Sequence, residues 1–458
     1  MSNFVGFVLA ALGASTSPPK IDSHVAPNGL TVLVVENHSV PVVTIEIASK
    51  NGSMTEPPEY NGLSHLYEHM FFKANAKVPS QELWLEKTRE LGIRWNGTTN
   101  TERVNYFFTT TADHLADTMQ FMHDAIVSPK FDPKELDRER VVVTGELDRN
   151  ESTPGYHLYI AVQRAVFWKY PSRKDPLGRR KTVLEATQAK MKTIQKRYYI
   201  PNNSVLTITG DVKAAEIFAQ VDKLYADWKR GPDPFKAFPL VKHPPIKKTQ
   251  VIVVEQPVQT VSGELVWHGP STVGDSVPDT YVADAYFTAL NEPSSPFQKA
   301  LVDSGACVGA GIGWYTQQNT GPITINFEAL PNKADDCVRA VAAELGKLRE
   351  ATYVTAEDLG RAARSIEVSL VRDRERPSEL AHTLTFWWTT ASLEYYLGYI
   401  DHLYKVTPAD AVKLVDRWMT NKPYVAGVML SPELAKQGMT VAHFEQLLGV
   451  GAKKAGAK

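Results

Sequence analysis

Near the middle of the chain, Gly231 to Lys248 reads GPDPFKAFPLVKHPPIKK, a stretch that no helix interior and no central strand can contain. Proline fixes φ and carries no backbone donor, so prolines repeated at this density break both regular structures. The stretch is expected to be a linker, at 233–248, and the segments on either side of it open alike. GLTVLVVENHSVPVVTIEIASKNGS follows Pro27, and KTQVIVVEQPVQTVSGELVWHGPST follows the linker. Each is a β-rich run, a turn, and an alternating strand that ends in a polar loop. They also close alike. In ATQAKMKTIQKRYYIPNNSVLTITGDV and in TPADAVKLVDRWMTNKPYVAGVMLSPE, an amphipathic pattern stops at Asn and Pro before a short apolar strand. An internal duplication follows. The expected fold is α+β, with two homologous lobes, each a mostly antiparallel sheet covered on one side by helices. The lobes are placed at 21–232 and 249–450, with short segments at 1–20 and 451–458 outside them. A length of 458 residues suits this division, since one domain usually takes about 100 to 200 residues.

Composition narrows the class. With 43% hydrophobic and 22% charged residues and a formal net charge of -1, the chain has the make-up of a globular protein without a basic excess. Nucleic acid is therefore not an expected partner, and the short runs Arg179-Arg180-Lys181 and Lys247-Lys248 are read as solvated surface. No segment has the roughly 18 uninterrupted apolar residues of a membrane span. The apolar stretch Phe4 to Leu12, followed by small residues to Ala14 or Ser15, resembles a signal peptide, although no Lys or Arg precedes it. A periplasmic or secreted location is one expectation; a cytoplasmic protein with a disordered tail is the other. Cys307 and Cys337 have no metal-binding spacing and are read as buried small hydrophobes, with a pairing between them left open.

The chemistry concentrates in NGLSHLYEHMFFKAN. Residues i and i+4 share one face of a helix, so His65 and His69 point two imidazoles at one place, and Glu68 lies close to them. Leu63, Leu66, Tyr67 and Met70 supply an apolar side for that helix. The order HxxEH is that of the inverted zinc motif. Zinc takes a third protein ligand and keeps one tetrahedral position open. Glu146, in ELDRERVVVTGELDRNES, is the choice for it, and Glu139 shares its helix face one heptad earlier. Glu139 is suited to accept a hydrogen bond from the free ring nitrogen of a ligating histidine, which fixes the tautomer and raises basicity. Taken alone, both segments also fit solvated helices with i,i+4 pairs. His24, His114, His157 and His402 have no metal spacing.

The ordered run of NGLSHLYEHMFFKAN, LGIRWNGTTNTERVNYFF, ELDRERVVVTGELDRNESTP and RYYIPNNSVLTITGDV resembles the pitrilysin and insulinase family, which includes the mitochondrial processing peptidases. Past the linker, SSPFQKALVDSGACVGAGIGW and EDLGRAARSIEVSLVRDRERPSELAHTLTFWW resemble that family's second, non-catalytic lobe. The resemblance runs from about Val25 to Leu448. It implies one zinc ion per chain on His65, His69 and Glu146, with Glu68 as general base and Glu139 supporting a ligand. Asn96 matches the family's asparagine near the scissile bond, beside an edge strand on which an extended peptide is laid. Tyr106 also fits a plain core aromatic.

The match fails at one place. Where active single-chain or homodimeric members of the family carry an arginine and a tyrosine for the substrate backbone and oxyanion, PFQKALVDSGACV holds Leu301 and Ser304 at the arginine positions and Val308 at the tyrosine position. The resemblance thus implies a zinc-dependent endopeptidase acting on peptides or unfolded segments, as the zinc-bearing subunit of a pair. A homologous partner would bring the arginine and tyrosine. An interaction subunit with an intact metal site and little activity alone is the other reading, and Trp314 or Tyr315 are the residues of this chain nearest to a replacement.

Overall fold

A computed structural model describes residues 19–451. The expected leader or tail at 1–20 and the tail at 451–458 fall outside it, save for their innermost residues.

Eleven strands among the described residues form two sheets. The first contains β1 (Asp22–Val25), β2 (Thr31–Glu36), β3 (Val42–Ser49), β4 (Arg94–Thr99), β5 (Val104–Thr111) and β6 (Ser204–Gly210), in the order β1-β2-β6-β3-β5-β4. The second contains β7 (Gln250–Glu255), β8 (Val261–His268), β9 (Gly309–Trp314), β10 (Pro322–Ala329) and β11 (Val425–Leu430), in the order β7-β11-β8-β10-β9. Leaving β1 aside, the two orders are the same. In each sheet one pair is parallel, β2 with β6 and β7 with β11, and the other pairs are antiparallel. The duplicated pattern in the sequence is thus a duplicated topology.

Alternation along the strands creates the cores. Val43, Ile45 and Ile47 of β3 pack with Leu66, Tyr67 and Met70 of helix α1 (Leu63–Phe71) in the first core. In the second lobe, helices α4 (Val277–Asn291) and α5 (Ala334–Lys347) cover the equivalent face. On the opposite faces the lobes exchange helices. Helix α3 (Pro154–Val166), from the first half of the chain, lies over β11, β7 and β8 of the second sheet, burying Leu158, Val162 and Val166 against Val266, Val425 and Met429. Helix α6 (Pro377–Thr390), from the second half, lies over β3 and β6 of the first sheet. Each sheet is therefore covered on both faces, which corrects the expectation of one-sided covering.

A hairpin loop adds to the joint. Glu102 accepts the backbone N–H groups of Gln318 at 2.7 Å and Asn319 at 2.9 Å, and Lys174 donates to the carbonyl of Thr320 at 2.9 Å. Cys307 and Cys337 are buried, as read, but they are also joined in a disulfide, their Cα atoms 4.9 Å apart, because the start of α5 packs beside the segment leading into β9. Among the described residues no helix is long and apolar enough to cross a membrane.

Candidate metal centre

Helix α1 is anchored at its start by a carboxylate. Glu56 accepts the N–H groups of Gly62 at 2.7 Å and Ser64 at 2.6 Å, using two of the donors that a helix N-terminus leaves free. Burial pushes this carboxyl up to about 7, against the hydrogen bonds it receives. Gly62 is in the left-handed region at φ 91°, and a Cβ there would stand 2.9 Å from the Cα of Gly178. The helix therefore enters at one angle. Its apolar side faces the core, and His65, Glu68 and His69 are on the other side, only partly exposed.

Helix α2 (Pro133–Glu151) runs beside α1 and carries both Glu139 and Glu146. The Nε2 atoms of His65 and His69 lie 3.4 Å and 3.8 Å from Glu146 Oε2. The two imidazoles meet edge to face, with centroids 4.9 Å apart. One ligand atom from each of His65, His69 and Glu146 lies within 4.8 Å of the others, and among the described residues this is the group of three that converges so. Two ring nitrogens and one carboxylate oxygen are a donor set that zinc takes, with a fourth position left for water or substrate. Burial, with His69 adding to it, pushes His65 down to about 4, so its imidazole stays neutral with a lone pair to give. The residues fit the ion.

Behind these three residues, Glu139 Oε2 is 3.0 Å from His69 Nδ1, while Glu139 Oε1 pairs with Lys73 Nζ at 2.7 Å. Burial works to raise the Glu139 carboxyl, but His69 and Lys73 outweigh it and hold it below its ordinary range. A carboxylate on Nδ1 leaves Nε2 of His69 free to face a metal ion. Glu68 is turned toward β4, where the Thr99 hydroxyl donates to its Oε2 at 2.7 Å. Burial raises the Glu68 carboxyl; the Thr99 hydrogen bond and His69 oppose this, and Glu146 adds to it.

Strand β4 forms the outer edge of the first sheet. Its hairpin is closed by the Asn100 N–H on the Arg103 carbonyl at 2.9 Å, and the alternation set there directs the backbone groups of Trp95, Gly97 and Thr99 outward from β5. Gly97 keeps this strand close to α1, since a Cβ would meet Glu68 Cγ at 3.0 Å. Asn96 is exposed on the same strand, and its side-chain oxygen accepts the outward N–H of Gly97 at 2.9 Å. Tyr106 is a core residue, stacked on Phe71 at 3.7 Å.

Thr99, Gly97, Lys73 and Glu56 were not singled out from sequence. Lys73 follows His69 by one helical turn, a spacing that the sequence does display. Thr99 needed the register of β4 against α1. In the second lobe, Leu301 is fully buried, the Ser304 hydroxyl is turned back to the Ala300 carbonyl at 2.8 Å, and Val308 is exposed just before β9. Tyr315 is exposed, and Trp314 donates its ring N–H to the Pro270 carbonyl at 3.3 Å.

Comparison with known proteins agrees with this architecture. Residues 31–175 match the insulinase family, peptidase family M16, and residues 185–366 match the peptidase M16 inactive domain. A probable mitochondrial-processing peptidase subunit beta from Arabidopsis thaliana is 26% identical over 273 residues, 59% of this chain and 51% of that protein. The zinc protease PqqE of Helicobacter pylori is 23% identical over 420 residues, 90% of this chain and 94% of that protein. This chain spans about half the length of the first curated relatives it matches. In fold it is similar to the crystal structure of a protease from Helicobacter pylori, with TM-score 0.82 at 22% identity, covering 90% of this chain and 100% of that one. It is also similar to the periplasmic protease PqqL from Escherichia coli, with TM-score 0.75 at 18% identity, covering 96% of this chain and 51% of that one. The chain belongs to the insulinase family of zinc peptidases, peptidase family M16, carrying in order that family's two kinds of domain.

Proposed function

We propose that this protein is a zinc-dependent endopeptidase of extended peptides or unfolded segments, working as the zinc-bearing subunit of a pair. The observation that carries this is the convergence of His65, His69 and Glu146 beside Glu68, directly against an open sheet edge. His65, His69 and Glu146 are the proposed ligands of one zinc ion, Glu68 the base and Glu139 the support of His69. The proposed lobes span 21–232 and 249–450, joined by the linker at 233–248.

Zinc bound here supplies a Lewis acid that polarises a carbonyl and lowers the pKa of a water toward about 7. The chain's own residues do the rest. Glu68 takes the proton of the attacking water and returns one to the leaving amine, and Thr99 fixes which of its oxygens is free to do so. A peptide lies along β4 as an added strand, held by the outward backbone groups of residues 95, 97 and 99. Asn96 gives up the Gly97 N–H to the peptide, and its amide is then free to contact the substrate near the scissile bond. The second lobe takes no strand at its corresponding edge, because β9 is already covered. Asn291 bonds both the N–H and the carbonyl of Ile312, at 3.0 and 2.7 Å, and Gln298 donates to the Ala310 carbonyl at 3.0 Å.

A second reading is favoured by Leu301, Ser304 and Val308. With no donor at two of these positions the oxyanion lacks support, which fits an interaction subunit that binds zinc and peptide but turns over little alone. The disulfide supports an oxidising compartment, periplasmic or secreted, and the PqqL neighbour is described as periplasmic.

The test is zinc stoichiometry of the purified chain together with cleavage of an unstructured peptide, with and without a chelator. One zinc per chain and chelator-sensitive cleavage are expected. A zinc-free protein in zinc-supplemented buffer would defeat the proposal.

A further inference from the structure

The middle of the first sheet buries a carboxylate that is not among the proposed metal ligands. Glu46 of β3 is fully buried on the face covered by α6. Such a group is tolerated only where hydrogen bonds replace its water. Its Oε1 accepts the Thr385 hydroxyl of α6 at 2.5 Å and the Asn105 amide of β5 at 2.8 Å, and its Oε2 pairs with His382 of α6. Asn105 in turn accepts the Thr98 hydroxyl of β4 at 2.5 Å. Arg103 closes the group, donating to the His382 carbonyl at 3.1 Å and to Thr385 at 3.3 Å. A continuous polar chain thus runs from a helix of the second lobe, through the sheet, to the edge strand. The residue after Thr98 is Thr99, which holds Glu68.

The fold itself does not demand this chain, because the second lobe has the same position without it. Ala48 lies opposite Val205, and Val266 lies opposite Val425, where the parallel pair begins in each sheet. Two residues back along each strand stand Glu46 and Glu264. Around Glu264 the exchanged helix offers Leu158 and Val162, which pack on Gly427, and Glu264 Oε1 has no hydrogen-bond partner. The same register carries an apolar cover in one lobe and a fully wired carboxylate in the other. The wired one leads to the proposed peptide strand.

We infer that helix α6 of the second lobe holds the peptide-carrying edge strand in place, through His382 and Thr385 to Glu46, Asn105 and Thr98, which makes Glu46 and Asn105 positioning residues. This rests on β4 being the peptide-binding edge, and it assigns the lobe without metal ligands a task inside this same chain. Loosening the relay frees β4 and with it Thr99, while the zinc ligands on α1 and α2 stay where they are.

Thr385→Val keeps the shape and removes the donor, and Thr385→Ser restores it. In the full chain, amide hydrogen exchange over 94–99 is expected to quicken about tenfold in Thr385→Val. Exchange in β2 and β6, zinc content and the behaviour of Thr385→Ser should match wild type. Binding of a fluorescein-labelled unstructured peptide should weaken about tenfold in Thr385→Val alone. Should Thr385→Val not fold, His382→Leu, at a partly exposed position, breaks the other contact of α6 with Glu46. Unchanged exchange over 94–99 in the folded variants overturns the relay. Quickened exchange with no peptide binding by the wild-type chain upholds the relay and overturns the peptidase reading, so the two fail separately.

Discussion

His65 and Glu68 share one short helix, but the duties proposed for them are separable, and substitution should part them. Removing both imidazoles in a His65→Ala, His69→Ala double variant leaves one carboxylate, too few ligands to hold zinc. Glu68→Gln leaves the ligand set whole and removes only the base. The expected outcome is loss of zinc in the first and full zinc with abolished turnover in the second, read by metal analysis and peptide cleavage. Full zinc in the double variant would sink the assignment. A second residue-scale expectation concerns Glu264. Burial pushes its carboxyl from the ordinary 4.5 up to about 7. Between those values the folded protein keeps a proton that the unfolded chain has released, so stability falls as pH rises through the window and stays reduced above it. The reduction is on the order of 3 kcal/mol. Gln cannot ionise, so Glu264→Gln should be more stable than wild type at pH 8 by up to about that amount and no different at pH 4. Thermal melts at the two pH values decide it, and an equal shift at both would mean that ionisation is not the cause. Much at this scale was legible. The i,i+4 spacing of His65 and His69, and the heptad between Glu139 and Glu146, are properties of single helices. Thr99 and Glu46 were not legible, because their roles depend on which strand lies beside which helix.

Among the elements, the strands that open and close each half, and their duplication, could be read because alternation and turn residues are local signals, whereas their order in the sheets depends on pairing. The exchange of α3 and α6 could not, since amphipathicity states that a helix face is covered without stating by which sheet. Nor did the two cysteines announce their bond, which depends on where α5 packs. The contrast between the edge strands is likewise tertiary. On β4 the outward backbone groups of residues 95, 97 and 99 border the proposed metal site, whereas on β9 Asn291 stands in for a neighbouring strand. Natural sheets cover or charge such edges to prevent pairing with other chains. Asn291→Ala should therefore cost about 1 to 3 kcal/mol, because both partners of Ile312 are lost. Urea unfolding measures the cost, and size-exclusion chromatography should show self-association as the freed edge pairs. A variant as stable and as monodisperse as wild type would show that Asn291 is dispensable to this edge.

At the scale of the whole molecule, the two lobes are alike in topology and unlike in what they hold. The first has its full proposed set, His65, His69, Glu146 and Glu68, with a relay that keeps β4 in place. The second, at the corresponding end of its sheet, has Leu301 inside the core, Ser304 bonded to its own helix and the aliphatic Val308 at the surface. A chain under no demand for hydrolysis has no reason to keep the first set, and a chain that works alone has every reason to keep oxyanion donors in the second. The combination is explained if another, homologous chain brings the arginine and tyrosine to the zinc of this one. Oxyanion donors in hydrolases are each worth about 2.7 to 4 kcal/mol, or 10²- to 10³-fold in rate. The isolated chain should accordingly bind zinc and peptide but cleave slowly. Mixing it with a homologue that carries the arginine and tyrosine and lacks HxxEH should raise cleavage at least about 100-fold. The gain should vanish when that homologue's arginine is changed to alanine, and also when Glu68→Gln is used in this chain, which places base and oxyanion support on different subunits. Full cleavage by the isolated chain, unchanged by the homologue, would mean that residues of this chain such as Tyr315 serve the oxyanion and that no partner completes the site.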